Sequence, residues 1–152
     1  MKKIVSIIFI ASMAVACGGE DKHEGHQNGY THDLKTKTDS LEKEVMDGHD
    51  VGMAKMNKLN GAIKDVKAAI DSIRQNKKAD TSVLSVYRSL AADLNQADYS
   101  MNRWMEEYSL DSAKNDEKAR IAYLESERDK VAIIKDRILN SIQKADSLLG
   151  KK

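Results

Sequence analysis

The 152-residue chain contains no proline, one cysteine and one phenylalanine. Without proline, no position is barred from a helix interior by a locked φ or a missing amide donor. A single cysteine excludes an intrachain disulfide. Phe9 lies in the first apolar segment, so the remainder must build its core from Leu, Ile, Val, Met and Ala with five Tyr and one Trp. Charge of one sign is not in excess either. The 25 basic and 24 acidic residues leave a formal charge of +1, which argues against a nucleic-acid partner and against an acidic solvating tail. No apolar run reaches the roughly 20 residues that a comfortable membrane span needs. What remains is a chain that is 32% charged, with aliphatic residues at regular spacing, a composition typical of long helices.

The first segment, MKKIVSIIFIASMAVAC, has a basic start at Lys2 and Lys3, an apolar stretch from Ile4 to Val15, and small Ala16 before Cys17. That is the layout of a secretory signal peptide. The Ala14-Val15-Ala16-Cys17 end resembles a bacterial lipobox with Ala14 where Leu is usual, so residues 1–16 are expected to be removed and Cys17 lipidated. Two alternatives are ordinary cleavage after Ala14-Val15-Ala16, which leaves a free thiol, and retention of the segment as an anchor. Acylation also explains an unpaired cysteine in an exported protein. With Lys2 and Lys3 removed, 25 basic residues become 23 against 24 acidic ones, a formal charge of −1.

Residues 17–32 form a tether whose four glycines and polar residues cannot bury enough apolar surface to fold alone. Fully extended, it reaches about 50 Å. Residues 33–150 are expected to form an all-α, up-down-up three-helix bundle with coiled-coil-like packing. In helix 1, expected over 34–77 with Asp33 as its cap, Met56, Leu59, Ile63, Val66, Ile70 and Ile73 step by three and four, an a/d seam. The same stripe runs back through Gly52, His49 and Val45. Gly48 and Gly52, one turn apart, imply either a kink or the close approach of a neighbouring helix. At 1.5 Å per residue this helix would be about 65 Å long, so part of it would protrude, bend or pair with another molecule.

Helix 2, expected over 82–108 and capped by Asp80, Thr81 or Ser82, repeats at Val83, Tyr87, Leu90, Leu94, Ala97, Met101, Trp104/Met105 and Tyr108. Residues 109–116 break the pattern. Helix 3, expected over 117–149, uses Ile121, Leu124, Val131, Ile134, Ile138, Ile142, Ala145 and Leu148/Leu149, with Gly150 as its stop signal. Glu125, Glu127, Arg128, Asp129 and Lys130 read as its solvated face.

Chemistry is concentrated in two segments. Met46, His49, Met53 and Met56 share one helix face, as do Met101, Trp104, Met105 and Tyr108. If the two helices fold back symmetrically about 77–81, residue i faces about 158 − i, and the two sets meet. Read functionally, His49, Met46, Met53, Met56, Met101 and Met105 form a site for Cu(I), which suits thioether and imidazole donors, with Trp104 offering a ring face to the cation. His23, His26 and His32 would be a looser metal-binding segment in the tether. Read structurally, the methionines fill gaps in a helical core and His49 bonds a carboxylate such as Asp98; on this reading there is no cofactor. An apolar ligand or haem between the helices is a third reading. Glu44, Asp47, His49, Asp50 and Asp98 could suggest acid–base catalysis, but no serine elbow, zinc motif or phosphate-binding loop accompanies them, and no enzyme activity is expected.

On Glu44-Val45-Met46, His49-Asp50, Met53 and Lys55-Met56, and on Ala97-Asp98, Met101 and Trp104-Met105, the chain resembles a family of small Bacteroidetes lipoproteins often labelled "viral A-type inclusion protein". The resemblance runs from about Asp39 to Leu149 and departs at Gly48, Gly52 and Ala54. It implies a bacterial cell-envelope location and no catalytic residues. Gly18 after Cys17 fits sorting to the outer membrane, and Glu20-Asp21 resembles an acidic surface-export signal, so either a periplasmic or a surface face is open. The expected role is a non-catalytic interaction or structural module, held to the membrane by its lipid, with a protein partner or a homodimer as its assembly. If Cys17 carries the lipid, Cys17→Ala abolishes palmitate labelling and releases the protein from the membrane fraction; unchanged labelling and fractionation would overturn the anchor.

Overall fold

The computed structural model describes residues 35–76 and 80–151. The leader, Cys17, the tether with His23, His26 and His32, and Asp33 lie outside them. The described residues are all-α: three helices, α1 (Lys37–Gln75), α2 (Thr81–Glu107) and α3 (Glu117–Leu148), each packed on the other two.

The helix ends follow from short polar side chains. α1 starts three residues later than expected because Thr36 and Asp39 make a reciprocal capping box, each side chain bonding the other's backbone amide. Asp80 caps α2 by accepting from the Ser82 amide at 2.8 Å. That bond holds its carboxyl below the ordinary range, so the cap acts at neutral pH and is lost in acid. Asp116 caps α3 through the Ala119 amide. At the far end Gly150 adopts φ 65°. The Lys151 amide reaches Asp146 and the Gly150 amide reaches Ser147, which is a Schellman motif built on a glycine in the left-handed region.

α1 is continuous through Gly48, Gly52 and Gly61, about 58 Å of straight-rise helix. The first two glycines serve close approach rather than a kink. A Cβ on Gly48 would lie 2.9 Å from Cγ1 of Val131, and one on Gly52 would overlap Cε of Met101. Gly61 faces open space.

These contacts set the register. α2 runs antiparallel to α1, with His49 against Trp104 and Gly52 against Met101. Both pairs of numbers total 153, so residue i faces about 153 − i instead of 158 − i. The expected symmetric fold-back is off by five residues because the glycine notch, not the midpoint of the turn, determines the level. α3 runs parallel to α1: Lys37 meets Glu125, Gly48 meets Val131, Gly52 meets Ile138 and Lys58 meets Asp146.

The core follows the seams through Val45, Leu59, Val66, Leu90, Leu94, Ala97, Met101, Val131, Ile138 and Ala145. Several positions differ from expectation; Met105 and Leu148, placed on the inward stripes, are partly exposed. Val83, at the start of α2, is exposed. Glu127, expected on the solvated face of α3, is buried, with 5% of its surface accessible, because it occupies the inward slot between Leu124 and Val131.

The glycines separate cleanly by substitution. Gly61→Ala should raise the unfolding free energy by about 0.5–1 kcal/mol through helix propensity alone. Gly48→Ala should lower it by about 1 kcal/mol, because Val131 is β-branched and cannot swing aside. Urea unfolding followed by circular dichroism reads both; a gain at Gly48 equal to that at Gly61 would remove the notch from the account.

Candidate functional site

The richest side-chain chemistry lies at the end of the bundle where α2 stops and residues 108–116 lead into α3. Trp104 is its centre. Its position on the inner face of α2 follows from the stripe Leu94, Ala97, Met101, Trp104. Its indole Nε1 donates to Oε2 of buried Glu127 at 2.8 Å. The other carboxylate oxygen, Oε1, accepts from Lys130 Nζ at 2.7 Å. The bond to Glu127 is the main reason that the Lys130 ammonium is held above its ordinary range. A buried carboxylate without partners is strongly disfavoured; here a neutral N–H and an exposed cation satisfy it from two sides.

Rings stack outward from Trp104. Tyr108 lies 4.8 Å away at 25°, and Tyr123 continues the column at 6.1 Å from Tyr108. The Arg120 guanidinium sits 5.7 Å above the Tyr123 ring. Arg120 is itself buried, bonded to Glu42 of α1 and to the Ser112 carbonyl. The Ser109 amide donates to Tyr123 Oη at 2.7 Å. The column therefore ties the α2–α3 connection to all three helices.

On the α1 side of Trp104 stands His49, with ring centroids 5.5 Å apart and planes tilted by 36°. Its partner is Asp50, at 2.9 Å from Nδ1, rather than the Asp98 suggested by the sequence. The six side chains proposed as one soft-metal set fall into two groups. Met101 is fully buried against Gly52, and Met56 is buried in the core; both fill space between helices. Met46, three residues before His49 on α1, is half-buried, and Met53 and Met105 are each 38% exposed. Among the described residues, no three His, Cys, Asp or Glu side chains gather as a metal site, so any cation here depends on thioethers.

The residues that sequence reasoning missed are Glu127 and Arg120. Glu127 was signalled by the seven-residue gap between Leu124 and Val131, which leaves one inward position for the 3–4 repeat. Arg120 takes the inward place that the pattern assigned to Ile121.

No helix among the described residues is long and apolar enough to cross a membrane. No family model matches the chain, and neither a curated protein nor a solved structure is similar to it.

The Trp104–Glu127 bond is separable from the volume of the side chain. Glu127→Gln keeps an acceptor and should cost less than about 1 kcal/mol, whereas Glu127→Met keeps the volume, orphans the indole N–H and should cost about 1–3 kcal/mol. Trp104 fluorescence during urea unfolding measures both, and equal stabilities would show that the bond contributes nothing.

Proposed function

We propose that this chain is a lipid-anchored, non-catalytic module of the bacterial cell envelope that offers the α2–α3 face of its bundle to a protein partner. The observation that carries the reading is a pair of large apolar side chains left open on one groove. Tyr99 is 60% exposed and Ile133 61% exposed, and both line a furrow with Arg103, Trp104 and Ile134. The furrow continues along the same seam past Asp93 and Arg137 to Val86 and Leu148, which are exposed as well.

A furrow between two helices, apolar at both ends and charged between, suits an amphipathic helix laid along it. Burying an exposed Ile or Tyr contributes on the order of 1.5–3 kcal/mol each, so a few such anchors would support a complex, while the charges between them would select orientation. A lipid at Cys17 followed by a tether lets the bundle present this face away from the membrane. The resemblance to Bacteroidetes lipoproteins supports the same location, with an outer-membrane anchor.

A photo-activated cross-linker placed at Tyr99 and at Ile133 in cells should give one discrete adduct from each, and none from the exposed position Ala68 on α1. An adduct of twice the chain mass would make a second copy the partner. Equal labelling at all three positions, or none, contradicts the reading.

A further inference from the structure

We infer that the α1–α2 seam beside Trp104 is a binding site for a soft monovalent cation, Cu(I) or its analogue Ag(I), held by Nε2 of His49 and the thioethers of Met46, Met53 and Met105. The inference stands apart from the protein-partner reading, since it uses the opposite side of α2.

Three observations converge. The first is the setting of His49. Asp50 Oδ1 lies 2.9 Å from Nδ1, so the carboxylate accepts the Nδ1 proton and leaves the Nε2 lone pair to a metal. A carboxylate behind an imidazole is the usual outer support of a histidine ligand; it fixes the tautomer and the ring orientation. Asp50 follows His49 directly in the chain, so this orientation is built into α1 itself.

The second is the placement of the thioethers. Met46 and Met53 stand three residues before and four after His49 on α1. That spacing puts all three on one flank, with the Cβ of His49 about 5–6 Å from that of each methionine and the two methionines two turns apart. α2 brings the last donor. The register set by His49–Trp104 and Gly52–Met101 places Met105 level with Gly48. On α2, Asp93, Ser100 and Trp104 reach α3; Met105 lies one residue around the helix from Trp104 and one turn beyond Met101, on the α1 side. The exposure pattern divides accordingly. Met56 and Met101 are sealed in the core, while Met53 and Met105 remain accessible to an incoming ion.

The third is the chemistry of the donor set. Thioethers are neutral, polarisable and weak toward hard or borderline ions, so three of them with one imidazole select Cu(I) or Ag(I) over Zn(II) and Ca(II). Among the described residues no cluster of three His, Cys, Asp or Glu competes for the harder ions. The Trp104 ring, fixed by its bond to Glu127, stands 5.5 Å from the imidazole. It is the only tryptophan of the chain, so its emission reports on the ring beside His49.

The test is a fluorescence titration of the full lipidated chain carrying His23→Ala, His26→Ala and His32→Ala, so that the tether does not compete. Ag(I) in a chloride-free buffer should quench Trp104 saturably with a dissociation constant below micromolar, and Zn(II) at the same concentration should not. Affinity should fall by at least about tenfold in His49→Ala and in Met53→Leu/Met105→Leu, and stay unchanged in Met56→Leu. The double methionine variant exchanges side chains of near-equal volume on an exposed flank, so it keeps the test valid if His49→Ala unfolds. Absence of quenching, equal quenching by Zn(II), undiminished affinity in the double variant, or an equal loss in Met56→Leu would each overturn the site.

Discussion

Two missing side chains set the geometry of this bundle. At Gly48 and Gly52 the backbone of α1 comes so near its neighbours that a Cβ would press on Val131 of α3 and on Met101 of α2. Each glycine costs about 1 kcal/mol of helix propensity relative to alanine. The return is packing: Met101 reaches its full burial by filling the space above Gly52, and Val131 seats beside Gly48. Because one notch serves both neighbouring helices, it fixes the height of α2 and of α3 on α1 together. A seam of aliphatic side chains alone tolerates a slip of a turn; a notch filled by one side chain does not.

The level set there decides which groups meet. It brings His49 to the face of Trp104 and leaves Met53 and Met105 at the edge of the seam while Met56 and Met101 go inside. The bundle is thus divided along its length. Its middle, through Leu59, Val66, Leu94 and Ile138, is apolar and carries stability. Its Trp104 end holds a buried carboxylate, a buried guanidinium and a column of rings. Polar groups in such a place cost desolvation unless every one is satisfied, and here Glu127 has two donors while Arg120 has Glu42 and the Ser112 carbonyl. That end frames both the thioether seam on one side of α2 and the Tyr99–Ile133 furrow on the other.

Much of this was legible in the sequence. The 3–4 stepping of aliphatic residues named three helices, the break at 109–116 and the stop at Gly150, because helical periodicity depends on local spacing alone. Asp80 was readable as a cap for the same reason. Thr36 and Asp39 also carried the capping-box signature, but Asp33 stood nearer the polar tether and masked it. The register was not legible. Periodicity says which face of a helix turns inward, not at what height it meets its partner, and the level depended on the shape of two glycine positions against Met101 and Val131. Burial within the candidate site was equally hidden: the sequence identified His49, Trp104 and the methionines, but not that Met56 and Met101 go inside while Met53 and Met105 stay partly exposed. Glu127 was hidden for another reason. It lies in a run of charges from Glu125 to Lys130, and only the vacant inward slot distinguished it.

The most direct test of the account is a set of Overhauser contacts in the folded chain with labelled methionine methyl groups. If the glycine notch fixes the register, the Met101 ε-methyl shows strong contacts to the Gly52 α-protons and to the Ile138 δ-methyl, and the His49 ring protons show contacts to the Trp104 indole. A Met101 methyl that instead contacts residues near Asn57, the level given by a symmetric fold-back, would contradict the register and everything placed by it.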